Sequence, residues 1–253
     1  MTITIAIANQ KGGCAKTTTA VNLSAGLVAS GKNVLLIDLD PQANTSQWIG
    51  ANNHVGGVFE LLTEKSDVQA LVQTTGIEGL SIIRGARELS NLEKALAGEL
   101  AVESRLKRRL KSMDLNQYDY VIIDTPPTLS LITLNALSAA DSVLIPVTTH
   151  VMTLSGVAQL IQTLEEVREV LNPQLKILGL LPCRVDLRTR HSQDILDALT
   201  ERFGDQVLKS HIHENVRIAE APSFKQSIFD YRPKSSAAED FRMLAQEVIN
   251  LAH

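Results

Sequence analysis

Short apolar runs alternate along the chain with stretches of helical periodicity. Each run has the length of a strand, and each stretch between them repeats apolar residues three and four positions apart. The pattern predicts strands at Thr2–Ala8, Asn33–Leu39, Leu80–Arg84, Tyr120–Asp124, Ser142–Pro146 and Lys176–Pro182. It predicts helices at Thr17–Ser30, Leu92–Lys111, Leu131–Ala139, Ser155–Leu171, Gln193–Phe203 and Ala237–Leu251. We therefore expect an α/β fold, a doubly wound, mostly parallel sheet with helices on both faces.

The turn after the first expected strand has the composition of a phosphate-binding loop. It runs Asn9-Gln10-Lys11-Gly12-Gly13-Cys14-Ala15-Lys16-Thr17-Thr18-Thr19 and leads into a helix. Backbone N–H groups in such a turn and at the helix N-terminus point at one anion. Lys16 adds a positive charge, and the Thr17 hydroxyl is placed to bind Mg²⁺. This segment predicts a site for a nucleoside triphosphate.

Aspartates follow two further expected strands, where ligands of a doubly wound sheet bind. Asp124 closes the apolar run 120–124, a pattern typical of a Walker B carboxylate beside a metal ion. Asp38 and Asp40 follow the second strand on the same face, so one can assist at Mg²⁺ while the other positions the attacking water. An isolated aspartate at a strand end is more often a helix cap. Three motifs in this order favour nucleotide chemistry.

Composition and charge narrow the class of protein. The chain has 253 residues, 44% of them hydrophobic, which is enough for one α/β domain spanning 1–253. A net charge of −4 gives no global basic signal, so any contact with nucleic acid must come from a local patch. Cys14 and Cys183 are far apart in sequence and indicate a reducing compartment. With no leader and no apolar span, we expect a soluble cytoplasmic protein.

The amino-acid sequence of the loop resembles the phosphate-binding motif of one family of ATPases. A standard Walker A motif has glycines where this chain has Gln10 and Ala15, and Lys11 stands five residues before Lys16. This arrangement resembles the deviant Walker A motif of the ParA/MinD group. The stretches 215–223 and 231–235 are also similar to short, Soj-like chromosomal ParA proteins. The resemblance spans nearly the whole chain.

The resemblance implies a role for each site residue. ATP and Mg²⁺ would bind at Lys16 and Thr17, with Asp38 and Asp124 as further metal ligands. Lys11 would reach across a dimer interface to the phosphates of the partner subunit, and Asp40 would orient the hydrolytic water. The nucleotide-binding set that follows from the resemblance is Lys11, Gly12, Gly13, Cys14, Ala15, Lys16, Thr17, Thr18, Asp124 and Pro222.

Ala15 departs from the family pattern immediately before the phosphate-binding lysine. If this position needs positive φ, the methyl group costs about 1 kcal/mol or more of strain. We expect weak ATP turnover with nucleotide binding retained, because the other N–H groups and both lysines are present.

The family resemblance also implies partners. Such proteins bind DNA without sequence preference as ATP-bound dimers, and a ParB-like activator releases them by stimulating hydrolysis. Their DNA-contacting positions match Arg188 and Arg217 here. Residues 184–234 hold nine basic and eight acidic side chains, so a basic surface must be assembled by folding and dimerisation. The implied function is partition of chromosomal or plasmid DNA by a cytoplasmic, nucleoid-associated ATPase.

Other classes of the same fold are weighed against this one. A MinD-like membrane-cycling ATPase should end in an amphipathic membrane helix, whereas this chain ends with acids on its polar face. An iron–sulfur reductase needs a cluster-binding cysteine pair that Cys14 and Cys183 do not form. A metabolic ligase would need a separate substrate motif. A ParA-like positioner of another cargo, such as a chemoreceptor array or a protein microcompartment, remains the alternative.

Overall fold

A computed structural model describes residues 2–64, 67–149 and 154–252. Its strands are β1 Ile3–Ile7, β2 Val34–Asp38, β3 Gln73–Thr74, β4 Leu80–Ile83, β5 Tyr120–Asp124, β6 Ser142–Thr148, β7 Lys176–Val185 and β8 Ile212–His213. Its helices are α1 Lys16–Ala29, α2 Asn44–Trp48, α3 Val58–Thr63, α4 Leu92–Ala95, α5 Arg105–Lys111, α6 Leu131–Ala139, α7 Leu154–Val170, α8 Arg190–Phe203, α9 Val216–Glu220, α10 Ile228–Tyr231 and α11 Ser236–Leu251.

The eight strands form one sheet in the order β3-β4-β2-β5-β1-β6-β7-β8. Neighbouring strands run parallel except for the short edge strand β3, which pairs antiparallel with β4. β1 lies at the centre between β5 and β6. This arrangement confirms the predicted doubly wound, mostly parallel sheet.

Side chains of the central strands alternate between two buried clusters, one on each face of the sheet. In β2, Leu35 and Ile37 face the cluster beneath α3, α5, α6 and α7, whereas Val34 and Leu36 face the cluster beneath α1 and α11. Both faces are apolar because helices cover both, so these strands read as continuous apolar runs. One loop joins β1 to α1, so α1 begins at the sheet edge where β1 ends.

The observed strands match the six predicted ones to within a few residues at their ends. The sequence pattern did not predict the two-residue edge strands β3 and β8, nor the short helices α2, α3, α9 and α10. The predicted helix Leu92–Lys111 is wrong: α4 ends at Ala95, and an α-helix resumes only at Arg105, after a short 3₁₀ helix at Val102–Ser104. Positive φ at Gly98 (83°) and Ala101 (52°) is incompatible with a continuous right-handed helix.

No helix in the described ranges has both the length and the apolar composition needed to cross a membrane.

Candidate nucleotide site

Three strand ends bring the predicted site residues together. β5 lies between β1 and β2, and its last residue, Asp124, is opposite Ile7 in β1 and Asp38 in β2. The loop that leaves β1 leads directly to α1, so Lys16 and Thr17 begin their helix beside these carboxylates. The parallel register thus places residues from three distant parts of the chain at one sheet edge.

The loop between β1 and α1 is anchored at its base and sharply turned at its tip. The buried amide of Asn9 donates to the Pro146 carbonyl at 2.7 Å, and its oxygen accepts from the Lys11 N–H at 3.0 Å. Gly13 takes φ 74° and Ala15 φ 62°, after which α1 begins at Lys16. The first N–H groups of a helix have no intrahelical acceptor, so this end of α1 can bind an anion.

Ala15 adopts the left-handed conformation, so the positive φ at which strain is expected is present. Its φ of 62° and ψ of 23° are values at which a β-carbon is strained, whereas glycine adopts them freely. Since a non-glycine residue pays about 1 kcal/mol or more in this region, the loop holds strain directly before Lys16.

Lys16 is a buried cation held inside the loop. Its side chain is only 7% exposed, and Nζ donates to the Lys11 carbonyl at 3.3 Å. Burial lowers the pKa of this ammonium group, and the nearby negative charge of Asp124 opposes that shift. A phosphate would supply the negative charge that this buried lysine lacks.

Asp124 and Thr17 are hydrogen bonded to each other at the foot of the loop. The hydroxyls of Thr17 and Thr45 both donate to Asp124 Oδ2, at 2.8 and 2.6 Å. The other oxygen, Oδ1, is buried without a hydrogen-bond partner among the described groups. A buried carboxylate oxygen with no donor, beside a threonine hydroxyl, fits the hard oxygen set that Mg²⁺ requires.

This set is suited to a shared metal rather than to a cage built by the protein alone. The described part of the chain contains no group of three or more His, Cys, Asp or Glu side chains arranged to hold a metal ion. Mg²⁺ is commonly bound by one or two carboxylates together with substrate phosphates and water. The residues present therefore fit Mg²⁺ that arrives with a nucleotide.

Asp38, the third predicted metal ligand, is fully buried and already hydrogen bonded. Its Oδ2 accepts from the Ser46 N–H at 2.8 Å and the Ser46 hydroxyl at 2.6 Å, and its Oδ1 accepts from the Asp40 N–H at 3.2 Å. Burial and the repulsion between neighbouring charges raise the pKa of both Asp38 and Asp124. A bound cation would favour their charged forms.

Asp40 faces the cavity in front of the loop. The residue is 8% exposed, and Oδ1 accepts from the Gln42 N–H at 2.9 Å. Its charge acts on both Lys16 and Asp124, which places it within electrostatic reach of the phosphate and metal positions. The carboxylate is thus held by its own backbone turn at the cavity wall.

A cavity of about 650 Å³ extends from the loop toward β8 and α9. Residues 12–18, Asp40 and Pro222 all line this cavity. The wall also includes residues that the sequence analysis missed: Gln42, Asn44, Pro127, Cys183, Arg184, Ile212, His213, Glu214, Asn215, Ile218 and Ala219. Lys11 is exposed at the loop tip and does not line this cavity.

The serine and threonine that hold the two buried aspartates were also missed. Thr45 and Ser46 lie in α2, directly after the stretch that carries Asp38 and Asp40. A Thr-Ser pair following an aspartate-rich turn was the available signal, but its partners lie on neighbouring strands. Only the sheet register brings Thr45 to Asp124.

The two arginines predicted to contact DNA lie on exposed surfaces and are each paired with a nearby acid. Arg188, whose side chain is 88% exposed, donates from Nε and Nη2 to both oxygens of Asp186 at 2.8 Å. Arg217 donates to Glu220 at 2.8 Å, and the Tyr231 hydroxyl donates to the same carboxylate at 2.9 Å. Ion pairs at such exposure are weak and are easily exchanged for other anions.

Comparisons with known proteins agree with this geometry. A protein-family model described as an AAA domain matches residues 2–177. The sporulation initiation inhibitor protein Soj of Bacillus subtilis is 42% identical over 246 residues, covering 96% of this chain and 97% of Soj. The chain belongs to the ParA/MinD-type AAA-domain ATPases.

Two further ParA/MinD-type relatives extend the comparison. The chromosome-partitioning ATPase Soj of Thermus thermophilus is 43% identical over 245 residues, 97% of this chain and 94% of that protein. Cobyrinic acid a,c-diamide synthase from Mycobacterium smegmatis, solved with bound ADP and magnesium, has a TM-score of 0.86 at 34% identity, covering 99% of this chain and 95% of that one. This chain is thus a ParA-like ATPase whose nearly full length matches its relatives.

Proposed function

We propose that this ParA-like ATPase is a nucleotide-switched dimer that binds DNA without sequence preference and partitions chromosomal or plasmid DNA. The observation that carries the nucleotide part is the contact between Thr17 and Asp124, with Asp124 Oδ1 left buried beside the loop. The similarity of this chain to proteins named Soj and to chromosome-partitioning ATPases supports the proposed role in DNA partition. Such a protein would act at the nucleoid, in the cytoplasm.

At the phosphate end, the chain binds and neutralises the triphosphate of ATP. The N–H groups of the loop and of the first turn of α1 bind phosphate oxygens, and Lys16 pairs with their charge. Thr17 and Asp124 would hold Mg²⁺, which would supply positive charge to neutralise the negative charge that develops during phosphoryl transfer. Asp38 lies opposite Asp124 on the neighbouring strand, and its carboxylate would add a second negative charge near the metal.

Asp40 is proposed to orient the water that attacks the terminal phosphate. It lines the cavity in front of the loop and is fixed by the Gln42 N–H at 2.9 Å. Phosphoryl transfer depends mainly on positioning and on charge stabilisation, and a fixed carboxylate at the cavity wall can provide the positioning. If Asp40→Ala hydrolysed ATP at the parent rate, this assignment would be wrong.

Lys11 is proposed to act on the partner subunit in a dimer. It lies exposed at the loop tip, outside the cavity of its own chain, while its carbonyl supports Lys16. An exposed lysine at this position can contact the phosphates bound by a facing subunit. Light scattering of Lys11→Ala with ATP tests the assignment: we expect monomers, and tight ATP-dependent dimers would contradict it.

On DNA, Arg188 and Arg217 are proposed to exchange their acidic partners for phosphates. Both guanidinium groups are exposed, and neither pair is buried enough to resist exchange. Dimerisation would double the number of such cations on one surface, so DNA affinity becomes coupled to ATP. A ParB-like activator that stimulates hydrolysis would then release the protein from DNA.

The decisive experiment is binding of the purified protein to random-sequence duplex DNA with ATP, with ADP and without nucleotide, across a salt series. We expect binding only with ATP, with no sequence preference and a steep loss of affinity as salt rises. Binding of ATP without DNA binding in any state would refute the partition role and favour a ParA-like positioner of another cargo.

A further inference from the structure

The far end of the nucleotide cavity contains an imidazole whose orientation is fixed from behind. His213 ends β8 and lines the cavity, and its side chain is 37% exposed. Its ring Nδ1 lies 3.0 Å from both carboxylate oxygens of Asp240 in α11, and its backbone N–H donates to Asp240 Oδ2 at 2.9 Å. Asp240 is only 7% exposed, so a buried carboxylate holds His213 at both its ring and its backbone N–H.

The carboxylate also selects the tautomer of the ring. A carboxylate facing Nδ1 accepts a hydrogen bond, which places the proton of the neutral imidazole on Nδ1. Nε2 is then a hydrogen-bond acceptor on the side of the ring away from Asp240. No described group of the chain is hydrogen bonded to Nε2. The site therefore offers an oriented acceptor at the cavity wall.

A second fixed pair shapes the same end of the cavity. Arg184 lines the wall in the left-handed conformation, at φ 55°, and its guanidinium donates to both oxygens of Glu214 at 2.8 and 3.1 Å. The two hydrogen bonds engage the edge of the guanidinium plane, and the face of a guanidinium can stack on a flat group. Glu214 follows His213 directly, so one short segment carries both the acceptor and the carboxylate that holds the Arg184 guanidinium.

We propose that His213, held by Asp240, is a positioning residue for the nucleoside part of ATP and accepts a hydrogen bond from a nucleoside donor. The inference rests on the proposed nucleotide site, because phosphates in the loop direct the nucleoside toward β8. The donors that ATP offers are the 6-amino group of adenine and the ribose hydroxyls. Guanine carries an oxygen at position 6, so an acceptor there would also discriminate against GTP.

The test compares nucleotides that differ by one donor, using full-length wild type and His213→Phe in equilibrium titrations. The probes are ATP, purine riboside triphosphate, 2′-deoxy-ATP and 3′-deoxy-ATP. We expect wild type to bind one of these analogues about five-fold more weakly than ATP, the value of one hydrogen bond. We expect His213→Phe to lose this preference, and the analogue concerned identifies the donor.

Two further variants separate positioning from general damage. Asp240→Asn can donate to Nδ1 and so reverse the tautomer, and we expect the same loss of preference as in His213→Phe. His211→Phe is the matched control, because His211 contacts the His213 ring edge-on at 4.7 Å and does not line the cavity. It should retain the wild-type preference. Thermal unfolding of each variant checks folding.

The outcomes distinguish this inference from the nucleotide site on which it rests. If wild type fails to bind ATP, the proposed site is wrong. If wild type binds ATP and His213→Phe weakens all four probes equally, or none of them, the site stands and the role of His213 is refuted. A preference kept in His213→Phe and lost in His211→Phe would also overturn it.

Discussion

The phosphate end of the cavity and the arginine-bearing surface use charge in opposite ways. At the phosphate end, Lys16, Asp38 and Asp124 are buried, and Asp124 takes its partners from α1 and α2, 107 and 79 residues away in the chain. On the surface, Arg188 and Arg217 pair with acids two and three residues away and remain exposed. The buried Asp124 therefore depends on the fold for its partners, whereas Arg188 and Arg217 take theirs from the local sequence.

This difference explains why the two regions should respond differently to substitution. A buried ionised group must be compensated, so loss of its partner carries a large cost. An exposed pair gains little from its partner because water and salt screen both charges. Changes at the phosphate end should therefore alter binding and folding strongly, and changes on the surface should alter only contacts with other molecules.

The largest effect is expected for Lys16→Ala. Removing the cation that faces the phosphates should lower ATP affinity by about 4 kcal/mol, roughly a thousand-fold, as for the loss of one partner of a buried charge pair. Calorimetric titration with ATP measures the change. Lys32→Ala, at the opposite end of α1, is the matched control and should bind ATP like wild type. Equal ATP affinities of Lys16→Ala and Lys32→Ala would contradict the role of Lys16 at the phosphate end.

Ser46→Ala should destabilise the fold by about 3 kcal/mol. The Ser46 hydroxyl donates to Asp38 at 2.6 Å and accepts from the Gly85 N–H at 2.8 Å, so both buried groups would lose a partner. Urea unfolding measures the loss. Ser112→Ala removes an exposed hydroxyl that donates to the carbonyl of Arg109, and it should stay within about 0.5 kcal/mol of wild type.

Ala15→Gly should stabilise the nucleotide-free protein by about 1 kcal/mol and raise ATP turnover. Glycine adopts φ 62° without strain, and the loop would no longer have to hold a methyl group there. Ala101→Gly is the control, since Ala101 has φ 52° on an exposed segment outside the cavity. It should give a similar gain in stability with no change in turnover. A gain in turnover from both variants would show that loop strain is not the cause.

The smallest effect on folding is expected for Arg188→Ala, which should leave the thermal unfolding midpoint unchanged. In DNA titrations with ATP, the slope of log affinity against log salt should become shallower by about 0.9 for each phosphate that the variant no longer neutralises. Arg168→Ala removes an arginine that is 40% exposed and likewise paired with a nearby acid, Glu165 on α7, and it serves as the control. An equal change of slope in both variants would assign the effect to net charge rather than to Arg188.

Much of this site was predictable because its motifs are local. The loop 9–19 and the aspartates after β2 and β5 were readable from apolar runs followed by polar residues. Their partners were not: Thr45 binds a residue 79 positions away, and Asp240 reaches His213 across 27. The break between α4 and α5 was missed for a related reason, since the apolar spacing there fits a helix while Gly98 and Ala101 turn the chain.

The sequence by itself determined the α/β class, the central strand set and the phosphate-binding chemistry, because periodicity and short motifs are properties of neighbouring residues. The tertiary structure decided which hydroxyls hold Asp38 and Asp124, that Ala15 is strained, and that Asp240 holds His213 at the cavity wall. These features depend on sheet register and on helix packing. Both are set by burial of apolar faces far apart in the chain.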